Sequence, residues 1–338
     1  MKKIKACVVG LGQIGFTYEF EESREHPATH FFGYLQKEQF EISCVVDCDA
    51  GKEVRIKKYA SEAGFYPSLK EAVEAKALEH IDIVSICTPP ALHLEQIRFL
   101  LENTGVKVIF CEKPLVRSRE EYWELQELLE GKEVVIVPNI SRRWNRGMRK
   151  VGEEIASGRY GELKKINIRY TRGIYNTGAH LFDLLKMWTK SRIESVQTVG
   201  KTRTSAEPEP SFSFAFEMEN KVTGYAEAMD DDAYYLFEID LYLSKGKIEM
   251  RNSGDDVFYY SVGKHHLFDG FLELVKERQD NHLLSDSCMK NAMDNLCKKF
   301  LEDEATACCL EDAVWPIYIA EALIESYNTK KEAKVNYE

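Results

Sequence analysis

Long apolar runs are missing from this sequence. No stretch approaches the ~20 apolar residues that a membrane span requires, so no spanning helix and no membrane role are expected. Cys-x-x-Cys pairs are missing as well. The 9 cysteines scatter through apolar stretches (Cys7, Cys44, Cys87, Cys111) and helical patterns (Cys288, Cys297). An odd, dispersed set suggests neither a zinc site nor a disulfide framework, so no metal is expected. Positive charge is in deficit: 45 Lys and Arg stand against 56 Asp and Glu, for a net charge of -11. That excludes nucleic acid or an anionic membrane as the main partner, although a compact basic patch can still hold one small anion. There is no internal repeat and no low-complexity linker. Met1-Lys2-Lys3 ahead of a brief apolar run mimics a signal peptide, but glycines interrupt the run too soon. A cytoplasmic protein is the expectation.

With 44% hydrophobic and 30% charged residues over 338 positions, the chain reads as a globular protein of two domains. Its organising stretch is Gly10-Leu11-Gly12-Gln13-Ile14-Gly15, which follows the apolar run Ile4–Val9. A buried strand feeding such a turn is the pattern of a dinucleotide site. The glycines make a tight turn, admit a pyrophosphate to the backbone and let the next helix pack closely. A second apolar run, Phe40–Val46, ends on Asp47, an acid placed to accept hydrogen bonds from an adenosine ribose. Residues 16–27 read as an insertion looping over the cofactor mouth, after which a helix resumes over 28–36. His30, at its start, faces a ligand cleft, faces solvent or serves the cap.

Asp47 and Asp49 would repel a 2′-phosphate, and positions 48–51 offer no arginine to receive it, so NAD is expected ahead of NADP. The nearest cation, Lys52, is close enough in sequence to reach back.

Apolar runs at 81–87, 106–111 and 134–137 alternate with helical patterns, one opened by the capping sequence Ser68-Leu69-Lys70-Glu71. This β-α alternation implies an α/β fold, a doubly wound parallel sheet over residues 1–140. From 141 to 338 the pattern changes to an α+β domain built on a large, mostly antiparallel sheet. Strands are expected at 163–170, 196–202, 212–217, 222–228, 236–243 and 247–251. Helices are expected at 148–157, 176–188, 267–277, 285–300 and 310–326. A ligand cleft between the halves is expected, as is an open, partly apolar sheet face suited to self-association.

Three features carry chemistry. Glu112-Lys113-Pro114 ends a strand, where ligands of open α/β sheets bind; Lys113 is either a partly desolvated partner for a reacting hydroxyl or a solvated surface lysine. A helix beginning at Asn176 would align Asn176, His180 and Asp183 on one face; if it begins later, Asn176 is its cap. A histidine oriented by a carboxylate suits proton transfer at a carbinol, and a packed core histidine is the alternative. Arg142-Arg143-Trp144 either holds an anionic substrate group or forms ion pairs at the hinge.

The glycine motif, Thr88-Pro89-x-x-x-His93, Glu112-Lys113-Pro114 and Gly173-x-x-x-x-Gly178-x-His180-x-x-Asp183 together resemble the Gfo/Idh/MocA family of nicotinamide-dependent oxidoreductases. The resemblance implies Lys113 and His180 as the catalytic pair with Asp183 beside them, and a cis Lys113–Pro114 peptide. It implies that Thr88, Pro89, His93, Glu112 and Lys113 line the nicotinamide side, alongside Gly10, Gly12, Gln13, Ile14, Gly15 and Asp47. Lys113, Arg142, Arg143, Asn176 and His180 would face a sugar-like substrate in a homodimer or homotetramer. Where family members often carry aspartate, Asn176 stands. A narrower likeness, to a subgroup of surface-polysaccharide and nucleotide-sugar biosynthesis, rests on the insertion, Thr29-His30, the Arg-Arg-Trp segment and Asn176. The expected function is hydride transfer at a secondary hydroxyl of a sugar, nucleotide sugar or cyclitol. The rivals are a hydrolase or lyase with transient redox of bound NAD, and a non-catalytic NAD-binding protein.

Overall fold

The computed structural model describes residues 3–203 and 209–337. Met1 and Lys2, read above as the lead into the first strand, lie outside them. Through the first 144 residues the order is β1 (Ile4–Val9), α1 (His30–Leu35), β2 (Phe40–Val46), α2 (Glu53–Lys57), β3 (Gly64–Tyr66), α3 (Leu69–Glu74), β4 (Ile83–Ile86), α4 (His93–Asn103), β5 (Val108–Glu112), α5 (Arg119–Leu129), β6 (Val135–Asn139) and α6 (Ser141–Trp144). There follow α7 (Arg146–Ala156), β7 (Leu163–Tyr170), a π-helical turn (Gly173–Thr177) running into α8 (Gly178–Thr189), then β8 (Ile193–Thr202), β9 (Ser211–Met218), β10 (Thr223–Ala228), β11 (Phe237–Leu243), β12 (Gly246–Arg251), β13 (Asp256–Lys264) and β14 (Leu272–Asp280). The chain closes with α9 (Cys288–Glu302), α10 (Trp315–Thr329) and β15 (Ala333–Lys334).

Two compact units result, Met1–Trp144 with Ser287–Val314, and Asn145–Asp286 with Trp315–Glu338. The expected boundary at 140/141 is therefore close, but 287–314 belongs with the first unit. Its α9 presents Met289 and Met293 to Gly33 of α1, where an added Cβ would sit 3.0 and 3.1 Å from their side-chain carbons. A helix that far along the chain carries no sequence mark of the sheet it returns to.

In the first unit six parallel strands lie in the order β3-β2-β1-β4-β5-β6. β1, β4 and β5 are buried on both faces along most of their length, as crossover helices require, which is why they read as largely apolar runs, broken only by Lys5, Ser85 and the terminal Glu112. The order reverses between β1 and β4, so the loop after β1 stands at the topological switch point. The expected helix straight after Gly15 is split. The amides of His30 and Phe31 bond to the carbonyls of Ile14 and Gly15 at 3.1 and 3.2 Å, so α1 continues the glycine turn after the 16–29 excursion. That excursion packs its base on its own unit. Phe16 is fully buried, its ring 5.3 Å from Phe31 and 5.8 Å from Phe32, and Phe20 reaches Phe32 at 5.8 Å. Burying such rings is worth ~1.5–3 kcal/mol each, which anchors the excursion at its base.

The second unit holds a nine-stranded sheet, β14-β13-β12-β11-β7-β10-β9-β8-β15, antiparallel except for β10 beside β7. One strand overturns an expected helix. Residues 267–277, read as helix, form a hairpin turn and most of β14, paired with β13 from Val257↔Asp280 to Lys264↔Leu272. The Leu-, Glu- and Lys-rich segment has helix propensity, but cross-strand pairing decides its state. The open face is also corrected. Phe212, Phe214, Phe216, Phe237 and Ile239 are all buried, so the apolar alternation marks the covered side. The other face carries Arg169 between Glu227 and Glu238, at 3.7 Å from each. Exposed apolar side chains gather at the β13–β14 turn instead: Leu267, Phe268, Phe271 and Leu272.

Candidate functional site

At the end of β1 the three motif glycines divide their tasks by geometry. Gly10 holds φ +90°, open to glycine at little cost, and a Cβ there would meet the Cys87 carbonyl at 2.9 Å. A Cβ on Gly15 would stand 2.0 Å from the Gly10 carbonyl oxygen, so only glycine lets this turn close. Gly12 is exposed with nothing within 4 Å of its missing Cβ, the open approach that a pyrophosphate needs.

Beside this turn lies a cavity of about 800 Å³, large enough for a dinucleotide. Gly10, Gly12, Asp47, Thr88 and Pro89 line it. Gln13, Ile14, Gly15, His93, Glu112 and Lys113 do not. The residues present therefore fit a nicotinamide dinucleotide at its phosphate and ribose portions.

Asp47, 8% exposed, ends β2 and faces the glycine turn. Its Oδ2 accepts from the Leu11 amide at 2.6 Å and its Oδ1 from the Asp49 amide at 2.9 Å. The Lys52 ammonium sits on both oxygens, at 2.9 and 3.0 Å. Burial works to raise the Asp47 pKa, but Lys52 and the Asp49 and Leu11 amides outweigh it and hold the carboxyl below its ordinary range. Lys52, absent from the site expected from sequence, shares the cavity wall with Ser68, Lys70, Gln96 and Arg98, also unforeseen. Only the remark that Lys52 could reach back pointed here.

His93 opens α4 as expected, yet it is fully buried. Its ring nitrogens lie 2.8 Å from the Thr88 carbonyl and 2.9 Å from that of Pro114, tying the loop after β4 to the loop after β5. It supports the wall without forming it. Glu112 also turns inward, away from the expected cofactor-lining role. Its Oε1 accepts from His30 Nε2 at 2.8 Å and from the Asn139 amide at 2.6 Å. Its Oε2 accepts from the Lys113 amide at 3.3 Å.

His30 Nε2–H is committed to Glu112, and Nδ1 of the same ring lies 2.9 Å from the Ser85 hydroxyl oxygen. Ser85 in turn accepts from Tyr34 at 2.7 Å. Burial pushes the Tyr34 phenol well above its ordinary pKa, so it stays a donor. On the other side Trp144 Nε1 donates to Asn139 Oδ1 at 2.8 Å. Two chains of donors thus converge on one buried carboxylate. Burial raises the Glu112 pKa, but the bond and charge of His30, with the Asn139 and Lys113 contacts, prevail and hold it below the ordinary 4.5. None of the cleft, solvent or cap readings of His30 describes this, and Tyr34, Ser85 and Asn139 carried no sequence signal. Trp144 was singled out at the hinge, but not for this role.

Lys113, half-buried, follows Glu112 in the first unit, and its peptide to Pro114 is cis, as the resemblance implied. Arg143 is buried and committed to Asp312 Oδ1 at 2.7 Å and the Ala307 carbonyl at 3.1 Å, which replaces its expected substrate contact by an ion pair within the first unit. Arg142 is half-buried. His180 and Asp183 belong to the second unit, on α8, His180 half-buried and Asp183 1% exposed. Asn176 precedes them in the π-helical turn, whose Tyr175 and Asn176 amides donate to Glu209 Oε1 at 2.5 and 2.7 Å. The expected helical continuity from Asn176 to Asp183 therefore holds, with one wider turn.

Residues 4–140 match the model of an oxidoreductase family with an NAD-binding Rossmann fold, Gfo/Idh/MocA. An uncharacterised oxidoreductase of Bacillus subtilis, YfiI, is 29% identical over 52% of this chain and 44% of its own length. The inositol 2-dehydrogenase of Renibacterium salmoninarum is 26% identical over 46% of this chain and 49% of its own. The chain thus spans about half the length of these curated relatives. Two solved structures share the fold across nearly the whole chain. One is the transcriptional regulator Gal80p of Kluyveromyces lactis (TM-score 0.78, 17% identity, 99% of this chain and 95% of that one). The other is an oxidoreductase of Agrobacterium radiobacter in complex with NAD+, L-tartaric acid and magnesium (TM-score 0.76, 12% identity, 99% of both).

Gly12→Val should leave the melting temperature near wild type, because its Cβ meets nothing, while weakening dinucleotide binding by about tenfold or more in a fluorescence titration. Glu112 contributes stability above its unfolded pKa, and that contribution is lost as pH falls through the depressed folded value. Urea midpoints measured across the acid range should therefore fall more steeply below pH 4.5 for wild type than for Glu112→Gln.

Proposed function

We propose hydride transfer between a nicotinamide dinucleotide and a secondary hydroxyl or ketone of a sugar, nucleotide sugar or cyclitol, a reading supported by the match of residues 4–140 to the Gfo/Idh/MocA oxidoreductase family model. The observation that carries this reading is the open Gly12 approach beside Asp47 in the large cavity after β1. A bound nicotinamide supplies the hydride acceptor or donor. The protein's share is position and proton management. Lys113, at the carboxyl end of β5, is proposed to hold the reacting hydroxyl. His180, oriented from α8 with Asp183 on the same helix, is proposed to take its proton. The inositol 2-dehydrogenase among the relatives supports a polyol or sugar as substrate class.

The likeness to a transcriptional regulator favours one rival, a dinucleotide-binding protein without turnover. Lys113 and His180 together weigh against it, since binding alone needs neither. Net reduction of NAD by a single polyol or sugar separates the proposal from that rival, and also from a hydrolase or lyase that regenerates its cofactor.

On an identified substrate, His180→Ala and Lys113→Ala should each lower turnover by ~10²–10⁴-fold while retaining dinucleotide binding. The double variant should fall little further, because both groups serve one step. Near-normal turnover in both single variants would remove the assignment. A homodimer or homotetramer is part of the same reading, supported by the exposed Leu267, Phe268, Phe271 and Leu272 at the β13–β14 turn. Light scattering at micromolar concentration should give a mass above the monomer; a monomer mass sinks it.

A further inference from the structure

The ribose end of the cavity is not the bare acid that the sequence suggested. A carboxylate offers about four acceptor positions on its two oxygens. On Asp47 all four are taken: two by the backbone amides of Leu11 and Asp49, two by the ammonium of Lys52. The amides belong to the glycine turn and to the turn after β2, so they stay. Lys52 is held differently. It stands at the end of a short helical turn (Ala50–Lys52) with its side chain 26% exposed, and it lines the cavity in its own right. A ribose diol that donates to Asp47 has to displace this one donor. The displaced ammonium then stands beside the ribose, next to its 2′ position.

We propose, on the reading of this cavity as a nicotinamide dinucleotide site, that Lys52 is the residue that sets cofactor choice and makes the site accept NADP as well as NAD. On Asp47 the ammonium cancels the charge that would turn a 2′-phosphate away. Moved off Asp47, it becomes that phosphate's cation. The wall as a whole does not oppose a dianion: Lys52, Lys70 and Arg98 balance Asp47, Glu95 and Glu102. Ser68, at the N-terminus of α3, adds a hydroxyl to the same wall. With NAD, the ribose diol takes the place of Lys52 on Asp47; with NADP, Lys52 turns to the 2′-phosphate. The expectation of NAD ahead of NADP assumed an unpaired Asp47, and the pair removes its basis.

The test is equilibrium binding of NADH and NADPH to the full chain, by calorimetry or nicotinamide fluorescence, with no turnover required. In the wild-type protein the two dissociation constants should lie within about tenfold of each other. A hydrogen bond to a charged group is worth ~1.5–3 kcal/mol. In Lys52→Met the ratio of the NADPH to the NADH constant should accordingly rise by about tenfold or more. Lys52→Arg should keep the wild-type ratio. Asp47→Asn, which frees Lys52 from its partner, should shift the ratio toward NADPH. A wild-type preference for NADH of a hundredfold or so, or a Lys52→Met variant that weakens both ligands equally, overturns the inference while leaving the cavity a dinucleotide site. Failure of both dinucleotides to bind wild type overturns the cavity reading itself, and the inference with it.

Discussion

A buried carboxylate has to be fed hydrogen bonds, and in the first unit that requirement governs much of the layout. Glu112 ends β5 where the chain turns into Lys113. Its oxygens are met by His30 from α1, by Asn139 from β6 and by the Lys113 amide. Behind His30 stand Ser85 on β4 and Tyr34 on α1; behind Asn139 stands Trp144 on α6. Three adjacent strands and two helices are thereby fixed to one point at the carboxyl edge of the sheet. Removing one partner of such a charge costs ~3–5 kcal/mol, because the charge stays buried. The network therefore sets the exit of β5, and with it the place of Lys113.

The glycine turn imposes a second constraint, and the split helix shows how much the fold tolerates around it. Continuity needs only that α1 bond back to Ile14 and Gly15, and the His30 and Phe31 amides do so. The excursion between them is anchored at its base by Phe16, buried against Phe31 and Phe32. Loop entropy grows slowly with length, so the insertion costs the turn little. The same turn fixes the Leu11 amide, which helps place Asp47, which in turn holds Lys52.

Shared architecture extends to proteins described as a dehydrogenase, a regulator and an NAD+-bound oxidoreductase. A common fold across such a range leaves function to the side chains placed on it. In this chain the set proposed to carry it is the Asp47–Lys52 pair, Lys113 after the Glu112 network, and the His180–Asp183 face of α8.

By itself the sequence determined the parallel sheet, because strands buried on both faces must be largely apolar, and Ile4–Val9, Cys44–Val46 at the end of β2 and Ile83–Ile86 are so. It determined the glycine turn and the acid at the tip of β2, since both follow from local backbone need. It determined the covered face of the second sheet only as an alternation, not which side that alternation filled. Tertiary structure decided the rest. His30, Ser85 and Glu112 lie 55 and 82 positions apart along the chain, and no local pattern announces a bond between them. The return of α9 to the first unit and the pairing of β14 with β13 are likewise contacts of distant segments, which override propensity. Lys52 is the nearest case: five residues from Asp47, it was visible as a cation, but only the fold of the turn between them placed it on both carboxylate oxygens.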